Sequence, residues 1–357
     1  MFACISRTSI QIGKQKISHG YYIDELLDNV SRISVRYSTT PNKNMTDLDE
    51  RKSDLSTGTH EIRRPKWLPY LTAMKFTQDF NEDKTGVVVH HPGLSFESYD
   101  RDGNPSITSI MKVLMSARAY AYHNPIDSTG ATFLDYAKMT DDCFTFMASS
   151  EIEVEKMMYD IQVVKTPLDV KVNLGNIGKS SLNSVAEVTL PFNGMTLLRN
   201  VNQVVVIDKL TRKPKPVPDW WKEKYSGCTI RNQPLIIPKL VRPNKYYTYK
   251  FYVAWSDTDN YNHTNSASYS RFAINAIQNA SSNKYFNSLT QDKLNSGIKK
   301  IQMSYIGESA EGDLIEASVW EASDKPIAYC QFLKEGKAVF QCSVLYNMPV
   351  DYPDVGI

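Results

Sequence analysis

Apolar residues recur at helical spacing in two places along the chain. Tyr269, Phe272, Ala273, Ala276, Ile277 and Ala280 fall three or four apart, which predicts a helix over 265–281 with one apolar face. Asn265 or Ser266 can cap its start. Ile107, Ile110, Met111, Leu114, Ala117 and Ala121 repeat the pattern and predict a helix over 106–123. Asn104 is the expected cap there, with Pro105 in the first helical position. Elsewhere the pattern shortens to apolar runs separated by Gly, Asn, Pro and Ser. In the first half, 93–99, 161–164, 169–174, 184–190 and 201–208 read as strands. A β-prone run, 251–255, precedes the later helix. The runs 298–305, 314–320, 327–333 and 338–346 follow it, with Gly-Asp, Asp-Lys-Pro and Lys-Glu-Gly at the turns.

A long helix followed by several antiparallel strands thus occurs twice, which predicts an α+β chain of two similar modules. In each, an antiparallel sheet wraps around one buried helix. Asp100-x-Asp102 before the first helix mirrors Asp257-x-Asp259 before the second. The copies differ in one respect: only the second has a histidine, His263, in the turn. His90, His91 and His123 lie outside the matching turn and read as structural residues.

Composition adds the flanking segments. Of 357 residues, 41% are hydrophobic and 22% charged, as suits a globular chain of about two domains. Residues 1–40 contain Arg7, Lys14, Lys16, Arg32 and Arg36, and end in an Arg-Tyr-Ser sequence. They read as a mitochondrial presequence, against which Asp24, Glu25 and Asp28 depart from the acid-poor pattern. A cytosolic tail is the alternative. Residues 41–66 are too polar to bury a core and read as a disordered connector. The modules are then 67–210 and 246–350. Between them, 211–245 is rich in proline, giving an extended linker pinned to a domain surface by Trp220 and Trp221. A net charge of +2 with scattered basic residues gives no case for nucleic acid, and no apolar run approaches the ~18 residues of a membrane span. The five cysteines lack metal-ligand spacing and read as free thiols in a reducing compartment; no metal or cofactor is expected.

The chemistry concentrates at the second helix start, where Ser256–Asn265 is crowded with Asp, Asn and His263. Free N–H groups and the positive end of the helix dipole would stabilise a carbonyl oxygen gaining negative charge. Asp257, Asp259, His263 and Asn265 have the spacing D-x-D-x-x-x-H-x-N, which resembles the catalytic signature of hotdog-fold thioesterases. Tyr305 and Glu308, in Tyr305-Ile306-Gly307-Glu308-Ser309, are similar to the E-Y-x-x-E-C segment of plant-type fatty acyl-ACP thioesterases. Thr211 and Arg212 match a T-R segment of the same enzymes. The resemblance spans roughly 90–348 and implies two tandem hotdog domains.

It further implies hydrolysis of acyl-ACP or acyl-CoA in fatty acid metabolism. Glu308 would be general base, or nucleophile. His263 would orient the water and protonate the leaving thiolate, and Asp259 would hold the histidine or the helix-start donors. Asp257 and Asn265 would support the turn. Ser309 stands in place of the family cysteine, and Tyr261 in place of its D-x-N-x-H asparagine, for which Asn262 is the adjacent substitute. An acyl tunnel through the first domain would be lined by Ile107, Ile110, Met111, Leu114 and Met115; the simpler reading makes these core. Tyr261 keeps a non-catalytic acyl-binding or scaffold protein open as the alternative, and a hydratase of the same fold is a third. Acyl carrier protein or acyl-CoA is the expected partner, and the chain a monomer or homodimer.

Overall fold

The computed structural model describes residues 67–259 and 262–348. The presequence and connector expected over 1–66 lie outside the described residues, as does Tyr261. The elements in order are α1 (Leu68–Ala73), β1 (Thr77–Phe80), β2 (Gly86–His91), α2 (Ile107–His123), β3 (Cys143–Val154), β4 (Leu168–Ile177), β5 (Ser181–Thr189) and β6 (Thr196–Asp208). Then come α3 (Asp219–Tyr225), β7 (Tyr247–Tyr252), α4 (Ser266–Ser282), α5 (Gln291–Asn295), β8 (Ile298–Tyr305), β9 (Leu314–Glu321), β10 (Ile327–Lys334) and β11 (Lys337–Tyr346).

All eleven strands form one antiparallel sheet in the order β1-β2-β4-β5-β6-β3-β8-β11-β10-β9-β7. Read outward from its middle, the sheet repeats itself. β3, β6, β5, β4 and β2 on one side correspond to β8, β11, β10, β9 and β7 on the other. The seam is the β3–β8 pair, running from Ser149↔Ser304 to Glu153↔Lys300. Lys300 closes it with ion pairs to Glu151 (3.0 Å) and Glu153 (2.9 Å).

Each half folds over its helix because both faces carry apolar residues in matching periods. α4 buries Tyr269, Phe272, Ala273, Ala276, Ile277 and Ala280 against inward side chains such as Phe332 and Phe340. Each such large side chain contributes about 1.5–3 kcal/mol. The alanines permit close approach, and α2 and α4 also touch each other. Among the described residues no helix is long and apolar enough to cross a membrane.

Several local expectations need correction. The strand expected over 93–99 is β2 at Gly86–His91, followed by a 3-10 turn, Phe96–Ser98. The cap of α2 is Ser106, whose hydroxyl accepts from the Ser109 N–H at 3.2 Å, not Asn104. Residues 161–164 are not a strand: the Val163 N–H closes a turn on Asp160, and Ile161 lies exposed. The linker is not extended throughout. Asp219 follows Pro218 and opens α3, which sets Trp221 and Tyr225 on one face, four residues apart. Trp221 is buried, its indole N–H donating to the Leu134 carbonyl at 2.7 Å, whereas Trp220 is 37% exposed, with Lys138 over its ring. Beyond α3 the linker crosses the back of the sheet. Buried amides hold it there: Gln203 accepts from the Leu235 N–H, and Gln341 both accepts from Leu240 and donates to the Pro238 carbonyl.

Candidate active site

The turn before α4 is built by backbone hydrogen bonds. Asp259 N–H donates to the His263 carbonyl (2.8 Å) and Asn262 N–H to the Asp259 carbonyl (3.0 Å). Thr258 and Thr264 bridge beneath it. Asn262 takes the left-handed conformation this turn needs, with φ of 59°. Asn265 then caps the helix: its Oδ1 accepts from Ser268 N–H (2.9 Å) and its Nδ2 donates to the Asp257 carbonyl (2.9 Å). Asp257 is buried, paired with Arg271, and accepts from the Ala254 N–H at 3.0 Å. Both residues therefore hold the backbone. Asp259 does so too, since its Oδ1 accepts from the His263 N–H at 3.3 Å.

The imidazole set by this turn meets a carboxylate from another element. β8 ends at Tyr305, and Ile306 and Gly307 both donate to the Val339 carbonyl, which turns the chain so that Glu308 faces the histidine. His263 Nε2 lies 3.2 Å from Glu308 Oε2. The other oxygen, Oε1, accepts from Arg212 Nη2 at 3.5 Å, and the guanidinium covers the rings of Phe144 and Phe146. Phe146 also lies beside the His263 ring. Ser309 is buried and locked: its carbonyl accepts from Thr264 N–H (2.7 Å), and its hydroxyl bonds Thr264 Oγ1 (2.7 Å) and the Tyr269 hydroxyl (2.8 Å). Burial raises the Tyr269 phenol above its ordinary range, so it stays a neutral hydroxyl like the other two.

These groups border a cavity of about 800 Å³. Asp259, His263, Asn265 and Glu308 line one end of it. The remaining wall comes mostly from the first half: one stripe of α2, the start of β3, and Leu182, Ser184, Asn202 and Val204 of β5 and β6. The α2 stripe is Met115, Arg118, Ala119, Tyr122 and His123. Ser266 Oγ lies 3.3 Å from the Met115 sulfur, which puts that residue at the catalytic end. Burial lowers the His123 pKa, favouring a neutral wall residue.

Two expectations about the site do not survive. Ile107, Ile110, Met111 and Leu114 do not line the cavity. They are buried in the core on a neighbouring stripe of α2. Nor does Asn262 reach it; the left-handed residue directs its exposed side chain elsewhere. Conversely, Arg118, Tyr122, Phe144 and Phe146 were not expected at a site. A charge at Arg118, inside a helix whose buried positions are mostly apolar, is the signal that would have exposed it.

The two turn copies can now be aligned. Tyr99 bridges Pro105 as Thr258 bridges Thr264. Ser98 receives the Ser95 N–H as Asp257 receives that of Ala254. Asp259 therefore corresponds to Asp100, and the mirror expected between Asp100-x-Asp102 and Asp257-x-Asp259 is displaced by two residues.

No family model matches the chain, and no curated protein matches it by sequence. Solved structures do. It is similar to the 12:0-ACP thioesterase from Umbellularia californica at 16% identity, covering 74% of this chain and 97% of that one, with a TM-score of 0.55. It is similar to an acyl-ACP thioesterase from Bacteroides thetaiotaomicron at 17% identity, covering 75% and 100%, TM-score 0.52. A protein from Lactobacillus plantarum, provisionally described as an oleoyl thioesterase, aligns at 12% identity over 76% and 99%, TM-score 0.57. The likeness establishes the architecture as α+β, two tandem hotdog modules.

Proposed function

We propose that the protein hydrolyses acyl thioesters carried on acyl carrier protein or coenzyme A. The observation that carries this reading is the His263–Glu308 pair, 3.2 Å apart at one end of a cavity of about 800 Å³. A thioester carbonyl is weakly stabilised by its sulfur and is open to attack once polarised. Glu308 accepts a proton from water as the water oxygen adds to the carbonyl carbon. The oxyanion formed faces the first N–H groups of α4, where the helix dipole is positive. Collapse of the intermediate breaks the carbon–sulfur bond; the thiolate takes a proton from His263, and the proton on Glu308 passes to His263 across their 3.2 Å contact, which restores both groups. Arg212 holds the second oxygen of Glu308 and so fixes the carboxylate's rotamer.

The test is thiol release from panels of acyl-CoA and acyl-ACP by the purified protein. Turnover that disappears in both Glu308→Gln and His263→Ala supports the reading. Absence of turnover from every thioester rejects it. The presence of Tyr261 in place of an asparagine, and the Arg212 ion pair on Glu308, favour an acyl-binding protein in that event. Tight binding of acyl thioesters without cleavage would then be the expected result.

A further inference from the structure

Among the described residues, a positive charge on the wall of the cavity has no ion-pair partner. Arg118 lies on the stripe of α2 that lines the cavity and is 7% exposed. Its Nε donates to the Ser184 hydroxyl (2.9 Å) and its Nη2 to the Ser184 carbonyl (3.0 Å). Tyr122, one turn further along, donates to the same hydroxyl at 2.9 Å. The remaining nitrogen, Nη1, is buried and has no hydrogen-bond acceptor among the described residues. The acids on the cavity wall are Asp259 and Glu308, both at the catalytic end, while Lys209 adds a further positive charge. Burial lowers the Arg118 pKa to about 10, which leaves the guanidinium charged at neutral pH.

An uncompensated buried cation is costly, and a core of aliphatic residues would serve a plain hydrocarbon chain better. Asn202 and Ser184 make the same stretch of wall polar. We infer that the acyl chain bound here ends in a carboxylate, which the Arg118 guanidinium receives, so that the preferred substrates are monothioesters of dicarboxylic acids. This rests on the thioesterase reading for the identity of the carbonyl end, and on Arg118 alone for the distal end. Along the helix axis Arg118 lies about 4.5 Å from Met115, which touches the catalytic end.

The experiment compares suberoyl-CoA, its neutral ω-carboxamide analogue and octanoyl-CoA, with the succinyl, adipoyl and sebacoyl homologues to set length. For the unmodified protein, kcat/KM for suberoyl-CoA should exceed that for the neutral analogues by about 10-fold or more, the value of one charge-assisted hydrogen bond. Arg118→Met should invert the order, and Arg118→Lys should keep part of the preference. Calorimetric binding of suberic acid monoamide against octanamide to Glu308→Gln protein reads the distal contact without turnover. Cleavage with no preference for the carboxylate, or a preference that Arg118→Met leaves intact, overturns the inference and leaves the thioesterase reading standing. No cleavage, with monoamide binding that is Arg118-dependent, does the reverse. If Arg118→Met does not fold, the unmodified protein and Arg118→Lys still decide it.

Discussion

Asn104 holds, in the first turn, the position that His263 holds in the second. The Asp100 N–H donates to the Asn104 carbonyl at 2.8 Å, as the Asp259 N–H does to that of His263. Gly103 takes the left-handed conformation that Asn262 takes, and Ser106 caps its helix as Asn265 caps the other. Yet no residue of the first turn lines the cavity that His263 borders. Asn104 Nδ2 donates to the Asn295 carbonyl (3.1 Å), and Tyr159, bonded to both polar groups of the Ile298 backbone, presses against Gly297. The first turn is a structural joint.

Catalysis should therefore be one-sided. Asp259→Ala should abolish thioester turnover, because the His263 backbone loses its carboxylate partner. Asp100→Ala should lower thermal stability while sparing most of the turnover. Asn104→His should not create a second site, since Tyr159 and residues 295–297 fill the space. Equal loss of kcat in Asp100→Ala and Asp259→Ala, with both proteins folded, would mean that the site is shared.

The carboxylate makes a second prediction. Glu308→Gln keeps the shape and removes the proton acceptor, so kcat should fall on the order of 100-fold or more with KM little changed. Asp313, another acid of this loop, accepts from the Ala310 N–H (2.7 Å) and pairs with Lys334 (2.6 Å). Burial opposes its charge, but these bonds win and hold its pKa low. Asp313→Asn should cost stability rather than rate. Ser309→Ala should also act on stability, by about 1–3 kcal/mol, because it leaves Thr264 and Tyr269 unpartnered in the interior. A rate loss from Ser309→Ala larger than that from Glu308→Gln would falsify the assignment of the base.

How far the sequence disclosed this architecture depends on burial at each strand. β8 to β11 were legible because they carry enough inward apolar residues between clear turn signals. β3 was not, although it forms the seam. Its run Phe144-Thr145-Phe146-Met147-Ala148-Ser149-Ser150 loses the alternation where the register shifts between Met147 and Ser149, and its buried Ser149 and Ser150 give no apolar signal. Both flanks of β3 are paired, so backbone bonds sustain it where side chains do not announce it. The His263 and Glu308 positions were legible through a motif and a segment, but their proximity was not, since 45 residues separate them and the loop after β8 brings them together. The α2 residues assigned to an acyl path were the apolar ones, whereas the cavity uses the adjoining stripe. Periodicity identifies a buried face and cannot say which part of it faces a void.

The linker supplies a third test. Trp221 is 1% exposed and its indole N–H is bonded to Leu134, so Trp221→Ala removes a filled volume and a buried bond together. The expected loss is about 3–5 kcal/mol in a urea denaturation, whereas Trp220→Ala should cost under ~1 kcal/mol. Similar costs for the two would mean that the linker is not anchored through α3.

The adjacent histidines of β2 should give stability a maximum in pH. His90 lies between two carboxylates, Asp79 of β1 (2.9 Å) and Asp169 of β4 (2.7 Å), and only the imidazolium donates to both. The hydrogen bond to Asp79, with that to Asp169, outweighs burial and raises its pKa. Its contribution is thus complete below about pH 6.5, the unfolded value, and is lost as pH rises through the higher folded value. Solvent screening keeps this contribution small, because the side chain is 38% exposed. His91 behaves oppositely. Burial lowers its pKa to about 4, and its Nδ1 accepts from the Gly93 N–H at 2.8 Å, which requires the neutral ring. The unfolded chain takes up that proton first, so stability falls as pH drops from about 6.5 towards 4, by up to about 1.4 kcal/mol per unit. Melting temperatures measured between pH 4 and pH 9 should show both limbs. His90→Gln should flatten only the alkaline limb, and His91→Asn only the acidic one. If His91→Asn leaves the acidic limb unchanged, the buried histidine is not what destabilises the fold in acid, and the carboxylates elsewhere in the sheet must be.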